Sequence, residues 1–571
     1  MDKKTKVNLT EKVISAALNG FANSLKDGKS FTDFDSYKTE NFYGGTEKFL
    51  KNPSAHGKWY LGYSNVDLVP DDILERPYFC GGYLMPEDKF CNEIKYVVDS
   101  MKARIIAIDD NSGRGLSVFC TVDCIGITNA AIRRIRKRFA LLLSEKYPEK
   151  KICSVNVFST HTHSCIDTQG LWTDVMPKMA RNIKRNISGK GILEKGADEE
   201  FIRLLEKRVS GAMLEAVENM KSGEMFIAQK DIEKKYFSNK NRPSATGLVT
   251  EITRLAFYPD DKNAVPTMIV NLPIHPDVAG LPTKDRPESG HELCGDYIYY
   301  MGETVNKAGF DFMFFNGAIC AIYSNRDLSN DGLPLPARYM QSQRFGREMA
   351  RIALSLTKSL DEIKEDKVLY DENEINEDKK ILGENSDRYT LWCDGWEKVE
   401  DKKIKPLLNI CIREVRVPVT NPIFRAAGKL NLADYKVLKE GKNRYSVFTE
   451  IGYIEFGKEF KVALVPGEYC PDLLTGGASL KAEGAAKSTD FKYPTLREIF
   501  GEDTYAFGLA NDAVGYIVPD NDYTLGDPAD HYHEFVSLGK YAGSSINGGF
   551  VEMKKELDKH SVKKQPEGVT Q

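Results

Sequence analysis

Histidine is scarce: eight residues in a chain of 571. Imidazole chemistry must therefore draw on His56, His161, His163, His275, His291, His531, His533 and His560. The 11 cysteines, spread from Cys80 to Cys470, form no C-x-x-C pair and no short framework of spacings. That excludes a cysteine zinc ribbon and a disulfide scaffold. The expectation is reduced, mostly buried thiols in a cytoplasmic protein. No run approaches the ~18 apolar residues of a transmembrane helix. The first residues, MDKKTKVNLTEKVISAALNGFANS, are basic but lack the continuous apolar stretch of a secretory signal. Neither sign of charge dominates: 79 Lys and Arg against 83 Asp and Glu leave a net charge of -4. A strongly basic nucleic-acid coat protein is thereby excluded. Hydrophobic residues make up 41% and charged residues 28%, so the chain can bury a sizeable core without disulfides.

Against those absences stands an organised pattern. Residues 1–55 read as a polar leader, partly helical, with Val13, Ala16, Ala17 and Phe21 at helical spacing. Residues 56–550 read as one large domain, and 551–571 as a tail. Within the domain, ARIIAID and LSVFCTVDC read as strands. TNAAIRRIRKRFALLLSEKY reads as a helix with Ile132, Ile135, Phe139 and Leu142 on one face, and ICSVNVF as the next strand. Strand, helix, strand at this spacing implies a βαβ crossover and a partly parallel sheet. EITRLAFYP, TMIVNLPI, DFMFFNGAIC, ICIREVRVPV and EFKVALVP continue the series, with helices over about 337–358 and 492–500. The fold class is α/β, with mixed sheets flanked by helices. A charged stretch over about 360–405 reads as a surface insertion. The basic cluster Arg133, Arg134, Arg136, Lys137 and Arg138 lacks the aromatic interleaving of a single-strand binder and reads as a solvated helix face, so no nucleic-acid partner is expected.

Two of the eight histidines stand in Thr160-His161-Thr162-His163-Ser164, directly after the strand ICSVNVF. In an extended segment residues i and i+2 share a side, and ligands of open α/β sheets bind beyond the carboxyl ends of strands. His275 repeats the arrangement after TMIVNLPI, and Glu468 does so after FKVALVP. Two histidines and a carboxylate suit a catalytic zinc that keeps an open position for water. Taken singly, each also fits a bland reading: satisfied histidines, an exposed strand end, a common Pro-Gly-Glu turn.

Taken in order, these segments resemble the catalytic domain of the neutral/alkaline, non-lysosomal ceramidase family. The resemblance rests on Asn241-Arg242-Pro243, THTHS at 160–164, VNLPIHPDVAG at 270–280, Cys294-Gly295-Asp296-Tyr297, VPGE at 465–468 and GLANDAVGYIVP at 508–519. It covers about Trp59 to Phe550, loosely over 360–405. It implies a zinc-dependent amidohydrolase that splits N-acylsphingosine into a sphingoid base and a fatty acid, with one Zn²⁺ per chain. His161, His275, Glu468 and Tyr516 match the family's zinc ligands. His163 matches the histidine that handles the proton of the attacking water, and Arg242 an arginine facing the developing oxyanion. Tyr532 matches a second oxyanion-side tyrosine, with Tyr523 as its competitor.

The chain also departs from the pattern. Where members carry a Gly-Asp-x-Ser segment, it has Ile319-Cys320-Ala321-Ile322-Tyr323-Ser324-Asn325. Tyr323 falls on the family serine, and Ser324 lies one residue beyond. Cys165-Ile166-Asp167 replaces a glycine-rich continuation after THTHS and would reshape the pocket wall. No secretion signal or C-terminal immunoglobulin-like domain is read in the chain. A divergent member follows, with three readings: a ceramidase acting on a lipid amide, a zinc hydrolase of a smaller amide or ester, or a non-catalytic homologue that keeps the metal.

Overall fold

The computed structural model describes residues 3–27, 31–53, 57–82, 92–172, 175–239, 242–279, 292–324, 335–374, 376, 393 and 395–561. His56, Asn241, His291 and Asn325 lie outside them, as do much of the charged stretch at 360–405 and the last ten residues.

Two sheets form the centre. The nine-stranded sheet runs in the order Asp311–Phe315, Thr267–Asn271, Glu251–Pro259, Lys221–Asp231, Trp59–Asp67, Lys102–Asp109, Leu116–Val122, Ile152–Ser159, with Lys402–Ile404 added beside Lys221–Asp231. The pairings are antiparallel except at its two ends. There Leu116–Val122 lies parallel to Ile152–Ser159, and Thr267–Asn271 parallel to Asp311–Phe315. Each parallel pair needs a crossover. The helices Asn129–Lys146 and Asp296–Lys307 supply them. The first of these is the βαβ unit expected from sequence. Its buried stripe is Ala131, Ile132, Ile135, Phe139 and Leu143, so Leu143 takes the place expected of Leu142. A 3.6-residue turn carries the stripe to that next position.

The six-stranded sheet is built on Leu408–Pro418 and Arg444–Phe456, antiparallel along their length, with Phe460–Leu464, Thr504–Phe507, Leu438–Gly441 and Thr32–Asp33 completing it. The sheets face each other. Ile106, Phe119, Phe158 and Phe315 of the first share one buried cluster with Ile410, Ile454, Phe460 and Phe507 of the second. Phe315 stacks on Phe507 with ring centroids 4.2 Å apart. Burying each such aromatic stabilises the fold by about 1.5–3 kcal/mol. Helices Asn129–Lys146 and Glu199–Glu218 cover the far side of the first sheet, and Ala542–Ser561 packs on the second. The result is one large α/β domain of four layers: helix, sheet, sheet, helix.

The basic cluster works inside this frame. Arg136 is buried and reaches Glu450 of the other sheet with two hydrogen bonds of 2.8 Å. Arg133 joins Glu414 and Glu450, and Arg134 joins Glu206. Lys137 and Arg138 remain exposed. Burial alone would raise the Glu450 carboxyl, but Arg136 and Arg133 hold it below the ordinary range.

Helix Lys3–Ser24 lies against Pro422–Lys429, where Ala22 and Leu25 pack with Ala426, Leu430 and Leu432. Lys429 Nζ donates to the Ala22 and Leu25 carbonyls at 3.1 and 3.0 Å, a cation at the carbonyl end of a helix. The last helix runs across residue 550 to Ser561. The ten cysteines among the described residues are buried. No helix among the described residues is long and apolar enough to cross a membrane.

Candidate metal centre

Three strand ends meet at one edge of the sandwich. Ile152–Ser159 runs into Thr160-His161-Thr162-His163, and Thr267–Asn271 into Leu272-Pro273-Ile274-His275. From the second sheet, Phe460–Leu464 runs into Val465-Pro466-Gly467-Glu468. The short strand Glu468–Tyr469 then pairs in parallel with Tyr516–Ile517, which sets Glu468 opposite Tyr516.

Each histidine is aimed by a backbone carbonyl. His161 Nδ1 lies 2.7 Å from the Ile125 carbonyl oxygen, and His275 Nδ1 lies 2.8 Å from that of Ile322. A carbonyl only accepts, so Nδ1 carries the proton in both rings and Nε2 is left as the second nitrogen. Both Nε2 atoms converge on one oxygen: Glu468 Oε2 is 3.0 Å from His275 and 3.2 Å from His161. Two imidazole lone pairs and a carboxylate repel one another unless positive charge lies between them. His161 Nε2 also finds no partner in hydrogen-bond geometry. Two neutral imidazoles and a carboxylate, each ring held through its other nitrogen, are the donor set and outer support that zinc takes. These residues could hold such an ion.

The backbone reaches this arrangement differently from the extended segment expected. His161 has a φ of 69°, the left-handed region that a side chain disfavours, and a turn follows. The His161 and His163 rings still meet, edge to face, with centroids 4.7 Å apart. His163 lies 5.7 Å from His275, and one ligating atom from each of the three rings falls within 4.8 Å of the others.

Gly82 is a contact that sequence reasoning missed. Its φ is +122°, and a β-carbon there would sit 2.7 Å from His163 Cγ. Gly82→Ala is expected to displace the imidazole and lower activity by about 10²-fold, with zinc content unchanged. Steady-state kinetics beside metal analysis checks it; wild-type activity would show that the His163 ring can shift without loss.

A cavity of about 290 Å³ opens beside these groups. Its lining combines the polar groups of His161, His163, Asp277, Glu468, Tyr323, Tyr516 and Tyr532 with the apolar surfaces of Leu171, Trp172, Phe424, Tyr435, Leu509 and Val536. Asp167 holds one wall: it accepts from the Gln169, Gly170 and Trp172 amides at 2.8, 2.9 and 3.0 Å. Phe424 comes from the helix beneath Lys3–Ser24. The Tyr532 hydroxyl lies 3.4 Å from that of Tyr516 and is hydrogen-bonded to that of Tyr323. Burial pushes the Tyr532 phenol up to about 12. Tyr523 lines a separate outer cleft with Glu11 and Lys487. Ser324 is buried and pairs with Phe237.

Arg242 sits elsewhere. It is fully buried, and among the described residues the cavity wall does not include it. Its guanidinium is 2.7 Å from Asp522 and 3.0 and 3.2 Å from the two oxygens of Glu534. Ser244 and His531 complete that network at 2.8 and 2.9 Å. Next to it His533 is buried, stacked on Tyr532 at 4.0 Å.

No family model matches the chain, and no curated protein matches it in sequence. Solved structures do. A neutral ceramidase from Pseudomonas aeruginosa aligns with a TM-score of 0.57 and 14% identity, over 90% of this chain and 76% of that one. A ceramidase complexed with C2 aligns with a TM-score of 0.55 and 14% identity, over 88% and 76%. At that identity the likeness is one of fold.

Proposed function

We propose that the chain is a zinc-dependent amidohydrolase of ceramidase type, which splits an N-acyl amide into an amine and a fatty acid. One observation carries the reading: His161, His275 and Glu468 converge from three strand ends, with both imidazole Nε2 atoms turned on a single carboxylate oxygen. The likeness in fold to neutral ceramidases supports the reaction class.

In this reading His161, His275, Glu468 and Tyr516 hold one zinc ion. When bound, zinc lowers the pKa of water from about 15.7 to about 7 and polarises a carbonyl oxygen. His163 takes the proton of the attacking water and returns it to the leaving amine nitrogen, as a buried imidazole beside the ligands can. Tyr532 donates to the carbonyl oxygen as negative charge gathers there. Arg242 acts from behind: it pairs with Glu534, two residues beyond Tyr532, and holds that turn in place. The apolar wall of Leu171, Trp172 and Phe424 receives the acyl chain and excludes water.

The size of the cavity favours a second reading of the substrate. About 290 Å³ lies at the low end of the roughly 300–1,000 Å³ of small-molecule pockets. That accommodates an amide with one short chain, whereas both chains of N-acylsphingosine would have to leave through the mouth. A smaller amide or ester is then the preferred substrate.

Both readings are tested by one series. The zinc-loaded protein is given N-acylsphingosine and N-acyl anilides of falling chain length, and released amine is measured with and without a chelator. Release that the chelator abolishes supports the hydrolase, and the chain-length optimum separates the two substrates. No release across the series, with zinc bound, leaves the non-catalytic homologue.

A further inference from the structure

Helix Lys3–Ser24 is apolar on both of its faces. On the inner one, Ile14 and Ala22 pack against the domain. The outer one holds Leu9, Val13, Ala16, Ala17, Gly20 and Phe21, all exposed. Steps of three and four join these residues along the helix, so they form a stripe and not scattered single side chains. Leu9 is 55% exposed and Val13 64%. A surface helix ordinarily turns polar and charged residues outward.

The stripe ends beside a second exposed apolar feature. Lys26 ties the end of this helix to the end of helix Val175–Ser188. Its amide donates to Asn186 Oδ1 at 2.9 Å and its Nζ to the Ile187 carbonyl at 2.8 Å, and Asn186 Nδ2 donates to the Lys26 carbonyl at 3.0 Å. The turn over residues 187–192 then carries Ile187 and Ile192 outward. Ile192 is 89% exposed, more than any other large apolar side chain among the described residues.

The charge beside these groups has one sign. Lys6, Lys12, Lys184 and Lys190 are exposed, and Lys3 and Lys4 open the helix in sequence. Among the described residues of the two segments the acids are Glu11, Asp27 and Glu194, and each is ion-paired. Glu11 meets Lys487, Asp27 meets Lys429 and Lys439, and Glu194 meets Arg181 and Arg185. A second copy of the chain would set the same lysines against these. An anionic lipid surface offers headgroup charge to the lysines and hydrocarbon to the apolar side chains.

We propose that the outer face of Lys3–Ser24 and the 187–192 turn form a docking surface for an anionic membrane, which the helix lies on and does not span. The inference goes beyond the amide reading and stands on its own observations. Docking there has a consequence for the cavity. Lys3–Ser24 rests on Pro422–Lys429, whose Phe424 lines the cavity, so the site is held close to the lipid surface.

The test is flotation of the full chain with vesicles of phosphatidylcholine and phosphatidylserine, and with vesicles of phosphatidylcholine alone. Binding to the anionic vesicles is expected to be about tenfold or more tighter than to the neutral ones, and to weaken as salt is added. Leu9→Gln/Val13→Gln and Ile187→Gln/Ile192→Gln change exposed side chains only, so each keeps the unfolding midpoint and zinc content of wild type. Each is expected to weaken vesicle binding by about tenfold or more. Turnover of a soluble N-acyl anilide is measured beside it and stays at the wild-type level in both. A chain that cleaves no anilide sinks the amide reading alone, because flotation does not depend on turnover. A wild-type chain that floats with neither vesicle, equal binding to both, or variants that bind as tightly as wild type overturn the docking surface. So does a wild-type dimer in solution that Leu9→Gln/Val13→Gln splits, since that gives the face to a second copy.

Discussion

Replacing His163 by Ala lowers kcat for amide cleavage by about 10²–10⁴-fold and leaves the zinc in place. The size of the loss follows from what the ring does in the proposed reaction. Amide hydrolysis moves a proton twice, off the attacking water and onto a poor leaving group, and a single buried imidazole serves both transfers. Retention of the metal follows from position. The two Nε2 atoms that face Glu468 belong to His161 and His275, while His163 flanks them 4.7 and 5.7 Å away, centroid to centroid. KM therefore changes little. The check is kcat and KM beside zinc stoichiometry in one preparation. Loss of zinc in His163→Ala would make it a ligand, and kcat within about threefold of wild type would remove it from the mechanism.

Arg242→Ala has its largest effect on stability. The guanidinium holds two carboxylates, Asp522 and Glu534, and all three side chains are fully buried. Removing the cation leaves two negative charges in a low-dielectric interior, with Ser244, the Ala486 amide and His531 beside them. Breaking a buried pair in this way costs about 3–5 kcal/mol. Glu534 lies in the Tyr532–Val536 turn, so the loss also loosens the Tyr532 phenol at the cavity wall. The expected result is a clear fall in the unfolding midpoint, with activity lost in step as the fold weakens. An unchanged midpoint with a fall in kcat alone would mean that the guanidinium acts directly on the substrate oxygen, as the family resemblance implies.

His161, His275 and Glu468 were legible as candidates because each follows an apolar β-run that could only be buried, and because histidine is rare enough for a repeated placement to be noticed. The βαβ unit around residues 103–158 was legible for the same reason: apolar runs rich in β-branched and aromatic residues flank a stretch whose apolar residues recur at helical spacing. What could not be read is what depends on distant segments meeting. Phe424 and Tyr435 reach the cavity across more than 250 residues of chain from His161, and nothing in their own surroundings distinguishes them from core aromatics. Arg242 resembled a site arginine, but its partners Asp522 and Glu534 lie some 280 residues on. The Gly81-Gly82 pair was a visible signal, yet only the fold shows which ring it must clear. The left-handed turn at His161 was hidden because Thr-His-Thr-His carries no glycine or proline to announce it.

The account stands on the convergence of His161, His275 and Glu468, and zinc retention tests that most directly. The purified chain is incubated with zinc, desalted and analysed for metal, with Glu468→Ala treated in parallel. The account predicts about one zinc per wild-type chain and a loss of most of it in Glu468→Ala, since that substitution removes the oxygen on which both imidazoles converge. A wild-type chain that retains no zinc, or a Glu468→Ala chain that binds it as tightly as wild type, would contradict the assignment of the site.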